Sequence, residues 1–402
     1  MQFNSNRKSR RDFIAAISSA GIVLSLGGPA FSQAASRRNS KELLVYVGTY
    51  TSGDSKSEGI YVYKFNLQNG SLSPHKTVAN VVEPSFLAID KSRKFLYAVN
   101  ETVEYEGKKS GAVSSFGIDP QSGGLRFLNK QPSLGGAPCH ISVSGDGRFV
   151  LVANYVGGNV SVFPVGKDGQ LGASIDLEQH FGSGPDKDRQ EAAHAHSVIL
   201  DRNDRFAFVN DLGIDKVMIY QFDGATGKLK PNAVQPFYQT KPGAGPRHFK
   251  FHTNGKFAFI ISELDSTISS LAYDERKGTL KEIQTVSTLP AGFSGANSCA
   301  DIHVSPDGAF LFGSNRGHDS IVSFSIDQKT GRLEPIEHVP TQGRFPRNFA
   351  IDPTGSFLLA ANQKSDSIVT FRIDRKTGRL QPTGTKITVP APVCLKLIPS
   401  FQ

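Results

Sequence analysis

Pro246-Arg247-His248 and Pro346-Arg347-Asn348 place an arginine at the head of two apolar segments, and Pro138-Cys139-His140 and Ala195-His196-Ser197 head two others. Cys299-Ala300-Asp301 fits the same pattern. A second group of polar residues closes apolar runs: Asn100-Glu101, Asn154-Tyr155, Ser262-Glu263, Asn315-Arg316 and Asn362-Gln363. If the segments share one fold position, the two groups meet and gather Glu101, His140, Asn154, His196, Arg247, His248, Glu263, Asp301, Arg316, Arg347 and Gln363. Packing does not need so many ionisable groups, because burying charge is costly unless it is paired or used. The chemistry such a set suits is acid–base catalysis on an anionic substrate. Arg247 and Arg316, with Arg347, would hold a carboxylate or phosphate and polarise a carbonyl. Glu263 or His196 would activate water or move a proton. His140, Asn154, His248, Asp301, Arg347 and Gln363 are the expected substrate-binding positions. A strand-end asparagine such as Asn154 has a plainer alternative, the capping of a turn.

Other chemistries find less support. His194-Ala195-His196 could chelate, but H-E-x-x-H and acidic calcium loops are missing and three arginines disfavour a cation, so neither metal nor cofactor is expected. No G-x-S-x-G marks a serine nucleophile. Cys139, Cys299 and Cys394 lack metal-ligand spacing and are odd in number, which points to buried thiols. The formal charge is +9 over 402 residues, without a Lys/Arg run or aromatic–basic interleaving. Nucleic acid is therefore not an expected partner; an anionic small molecule is.

The elements that must position these residues follow from a repeat. Gly-x-Leu recurs at Gly70, Gly123, Gly169, Gly227, Gly278, Gly331 and Gly378, with spacings of 53, 46, 58, 51, 53 and 47 residues. Runs such as Phe149-Val150-Leu151-Val152-Ala153-Asn154 and Phe357-Leu358-Leu359-Ala360-Ala361-Asn362 recur with them and read as covered strands. Turns such as Ser305-Pro306-Asp307-Gly308 precede the runs and alternating strands follow. Each unit is a four-stranded antiparallel meander, too small to bury a core alone. The sequence predicts an all-β, seven-bladed propeller over residues 43–398. The first unit, opening at Leu44, lacks its leading strand; Pro392-Val393-Cys394-Leu395-Lys396-Leu397 would supply it and close the ring. In that fold the two polar groups lie at one mouth of the central channel.

Residues 1–36 read differently. Ser9-Arg10-Arg11-Asp12-Phe13-Ile14, a diluted apolar run to Leu26 and small residues through Ala35 resemble a cleaved bacterial twin-arginine export signal. The run is short for a membrane span. A periplasmic or secreted monomer, with no membrane attachment after cleavage, is expected.

At Gly243-Ala244-Gly245-Pro246-Arg247-His248, Ser262-Glu263-Leu264, Ala300-Asp301-Ile302-His303, Asn315-Arg316 and Pro346-Arg347, the chain resembles the lactonase family of seven-bladed propellers. That family contains a bacterial 6-phosphogluconolactonase and fungal enzymes that cyclise carboxylated cis,cis-muconate. The resemblance implies a carboxylic ester (lactone) hydrolase acting on a sugar or carboxylated lactone. By its muconate branch it implies His196, Arg247, Glu263 and Arg316 as the catalytic set. An export signal departs from the cytosolic chemistry of 6-phosphogluconate, so the substrate stays open. So do a muconate-type cycloisomerase and a non-catalytic propeller that binds an anion or a protein.

Overall fold

The computed structural model describes residues 41–401; the expected export segment lies outside them. Seven antiparallel sheets of four strands succeed one another, one of them extended by a short extra strand. In the first, the closing strand Pro392–Pro399 pairs with Glu42–Thr49, as the split unit predicts. The remaining blades begin at Leu87, Pro138, Ala195, Pro246, Ser298 and Pro346, and each runs outward through three hairpins. Two short 3₁₀ turns, Leu212–Ile214 and Gln363–Ser365, are the helical elements among the described residues. No helix there is long and apolar enough to cross a membrane.

The two sequence repeats turn out to touch each other. Every Gly-x-Leu glycine lies between the third and fourth strands of its blade, with φ of 66–83°. Six of the seven abut the phenylalanine that opens the second strand of the preceding blade: Gly70 meets Phe357, Gly169 Phe95, Gly227 Phe149, Gly278 Phe206, Gly331 Phe257 and Gly378 Phe310. A Cβ at these positions would stand 2.1–2.8 Å from the ring, so glycine is required twice over, by backbone and by contact. The exception is Gly123, which meets Leu44 of the first unit, whose run lacks the aromatic.

Blade four departs from the simple pattern. Its outer strand is broken into Leu229–Pro231 and Phe237–Gln239, both paired to Lys216–Phe222. Blade two also starts late: Pro84-Ser85-Phe86 precedes a strand of only Leu87–Ile89. A bulge follows the first residue of the leading strand in several blades, between Pro138 and His140, Ala195 and Ser197, Pro246 and His248, and Pro346 and Asn348. An extra residue re-aims its neighbours. Here it lets consecutive residues, Arg247 and His248 among them, contribute to the same buried region.

Candidate active site

Glu263, just beyond the second strand of blade five, is the centre of the ionic arrangement. Its Oε2 accepts from Arg247 Nε at 2.8 Å and Arg316 Nη2 at 2.7 Å; its Oε1 accepts from Arg189 Nη2 at 2.6 Å. Burial would raise the pKa of this carboxyl, but Arg316, Arg247 and Arg189 outweigh it and hold the group well below the usual carboxylate range. Arg247 and Arg316 are also tied to the backbone, donating to Ala300 O at 2.5 Å and Cys299 O at 2.6 Å. Burial, with Arg247 and Arg347 adding repulsion, lowers Arg316 to about 10, so it keeps its charge at neutral pH.

Beside this cluster lies a cavity of about 230 Å³ lined by Glu101, Cys139, Tyr155, Arg189, His196, Glu263 and Arg347. Arg347 is the unusual member. Its guanidinium lies 5.3 Å from the centre of the Tyr50 ring, yet among the described residues it makes no hydrogen bond or ion pair. Tyr50 Oη instead donates to both Glu101 oxygens at 3.0 Å, and Ser85 Oγ also bonds that carboxylate. Burial raises the Glu101 pKa against the pull of Arg347. His196 is the imidazole on the wall. Burial first, then Arg247, His248 and Arg347, lower its pKa well below the ordinary histidine value, so it stands neutral. Its Nδ1 is 3.8 Å from Cys139 Sγ, while Nε2 has no partner among the described residues. The Cys139 thiol leans on the His196 carbonyl at 3.3 Å, and burial and Glu101 push its pKa up, which keeps it protonated and unsuited to nucleophilic attack.

A deeper layer of the channel carries His140, His248 and Asp301. His248 Nδ1 donates to Asp301 Oδ1 at 2.8 Å while its Nε2 accepts from Arg247 at 3.2 Å. That pairing needs a neutral ring, and burial and Arg247 bring its pKa down to about 4. Asp301 also takes His303 Nε2 at 2.9 Å and the Asn348 amide. His140 packs on Phe86 with ring centres 4.4 Å apart and on His248 at 5.5 Å.

The structure thus brings His196, Glu263 and Arg347 to the cavity wall and packs Arg247 and Arg316 directly behind them. His140, His248 and Asp301 form the layer beneath. Asn154 and Gln363 are elsewhere. Asn154 is fully buried and brackets its own blade, donating to Ser133 O at 3.0 Å and Asn159 Oδ1 at 2.8 Å. Gln363 opens a 3₁₀ turn and is not on the cavity wall. Among the described residues no three His, Cys, Asp or Glu side chains are grouped to hold a metal ion.

Sequence reasoning missed Arg189. It belongs to the segment between the strands Asp176–Gln179 and Ala195–Leu200, the insertion behind the widest repeat spacing, 58 residues. That segment is built rather than loose. His180 Nδ1 bonds Asp211 Oδ2 at 2.6 Å, the buried Gln190 amide donates to Leu212 O and Asp215 Oδ1 at 2.8 Å, and His194 stacks on Tyr155 at 4.5 Å. The unequal spacing was the available signal.

Fold and site together define a closed seven-bladed propeller with a small cavity lined by two arginines, two glutamates and a histidine. The chain belongs to the lactonase family: the model of that family, described as "Lactonase, 7-bladed beta-propeller", matches residues 44–397. It is 40% identical over 353 residues to the 6-phosphogluconolactonase of Bacillus subtilis (strain 168), covering 88% of this chain and 97% of that one. It is 37% identical to the 6-phosphogluconolactonase of Formosa agariphila, over 77% of this chain and 86% of the relative. Among solved structures, the periplasmic gluconolactonase of Pseudomonas aeruginosa superposes with a TM-score of 0.83 at 35% identity, covering 89% of this chain and 99% of that one.

Proposed function

We propose that the chain is a 6-phosphogluconolactonase-like lactone hydrolase that opens the lactone of a sugar acid in the cavity at the channel mouth without a metal ion. The observation that carries the mechanism is the shared wall of a neutral His196 and a partner-free Arg347. A cavity of about 230 Å³ is smaller than the roughly 300–1,000 Å³ of drug-sized pockets and suits a monosaccharide. His196 Nε2 takes a proton from water as the water oxygen bonds the lactone carbonyl carbon. Arg347 donates to the oxyanion that develops. Collapse breaks the bond to the ring oxygen, which receives the proton back from His196, and the new carboxylic acid ionises. Glu263 holds Arg189, Arg247 and Arg316 in place and is not the base, because its carboxylate is stabilised by all three.

The twin-arginine motif supports export, and the periplasmic Pseudomonas relative supports an unphosphorylated aldonolactone as substrate. A panel of glucono-δ-lactone, 6-phosphogluconolactone and a muconolactone, assayed by proton release with and without chelator, tests the reading. Turnover of glucono-δ-lactone that survives chelation, and an Arg347→Met variant slowed about 10²–10³-fold, are expected. Ring closure without water uptake on the muconate substrate, or wild-type rates in Arg347→Met, would favour another function for the site.

A further inference from the structure

One level further along the channel than His248 and Asp301, the strand register places a different set of residues. Lys250 pairs across its blade with Phe259, His303 with Phe312, Ser142 with Leu151 and Lys396 with Tyr46. These are equivalent positions of four leading strands, two residues past the layer that holds His140, His248, Asp301 and Cys394. The other blades contribute Ala88, Ile199 and Ala350 at this level. The ring so formed contains two lysines, a histidine and a serine, and no carboxylate of its own.

Neither lysine is neutralised. Among the described residues the Lys250 and Lys396 ammoniums make no hydrogen bond and no ion pair. Lys396 instead lies 4.5 Å from the centre of the Phe86 ring. The nearest carboxylate of this region, Asp301, is already committed to His248, His303 and Asn348. Ser142 Oγ is buried and has no partner. Burial, and then Lys396, lower the Lys250 pKa, and Asp301 opposes them. Two uncompensated ammoniums and an idle hydroxyl form a donor set without an acceptor. Half-buried charge of this kind is held at a cost that an opposite charge would remove.

We propose that this level of the channel is a second anion site, separate from the lactone cavity, that binds a small divalent oxyanion of the sulfate or phosphate type between Lys250 and Lys396. The Ser142 hydroxyl completes its coordination. The site is independent of lactone hydrolysis, and its ligand stabilises the ring by bridging blade five to the strand that closes it.

The test is calorimetric titration of the folded chain with sodium sulfate, at constant ionic strength maintained with sodium chloride. Arg347→Met protein is used in parallel so that the channel mouth does not contribute. One sulfate per chain at this level of the channel is expected in both proteins. Lys250→Met and Lys396→Met should each weaken it at least tenfold while preserving a cooperative thermal transition. Without sulfate, either variant should melt at or above the wild-type temperature, because a repulsion has been removed, and sulfate should no longer raise it. No binding to Arg347→Met protein, or undiminished affinity in both lysine variants, would overturn the proposal. Neither result bears on lactone turnover, which is measured separately.

Discussion

Three guanidiniums on two oxygens make the Glu263 carboxylate a poor proton acceptor at neutral pH, since a proton must displace an ion pair to bind there. Its value lies in holding Arg189, Arg247 and Arg316. Glu263→Gln keeps the shape and removes the charge, leaving buried arginines uncompensated; stability should fall by about 3–5 kcal/mol, read from urea denaturation. The histidines give a pH dependence of definite sign. His140, His196 and His248 have folded pKa values below the ordinary 6.5, so the unfolded chain binds more protons as pH falls through that value. Stability should be level from pH 8 to 7 and decline below 6.5, continuing for His248 to about pH 4. Glu263 and Asp301 act in the same direction at lower pH, because their depressed pKa values contribute stability that protonation removes. A urea midpoint unchanged between pH 7 and 5 would contradict buried neutral histidines.

At the scale of elements, the turns and strands explain why the fold was legible and the site only partly so. Gly-x-Leu and the strand-opening phenylalanine recur because they are two sides of one contact, repeated around the ring. Gly278→Ala would force a side chain into positive φ and against Phe206; a loss of about 2–4 kcal/mol follows from left-handed strain plus overpacking, checked by thermal and urea unfolding. The inner residues could be gathered from strand positions because antiparallel register places equivalents at one mouth. Arg247, Glu263 and Arg316 were found that way. Asn154 was gathered by the same rule but turns into its blade, since a strand-end amide satisfies nearby carbonyls as readily as it faces a cavity. Arg189 escaped because it rides an insertion, and repeats are silent about what interrupts them. Gln190→Ala should loosen that insertion, raising KM for the lactone more than it lowers kcat, because Arg189 would lose its fixed approach to Glu263.

At the scale of the molecule, closure and the candidate cavity depend on the same arrangement. Pro392–Pro399 seals the first blade and also brings Cys394 and Lys396 to the channel. Ending the chain at residue 391 would expose the edge of Glu42–Thr49, and sedimentation should show self-association in place of a single species. The closed ring is what holds an arginine from blade seven, a histidine from blade four and a glutamate from blade five around one cavity. The most direct measurement is steady-state hydrolysis of glucono-δ-lactone, in chelator, by wild-type and His196→Gln protein of equal thermal stability. The account predicts a metal-free wild-type rate whose acid limb lies below the ordinary histidine pKa, and a kcat about 10²–10⁴-fold lower in His196→Gln. An unchanged rate in His196→Gln, or loss of the wild-type rate on chelation, would contradict it.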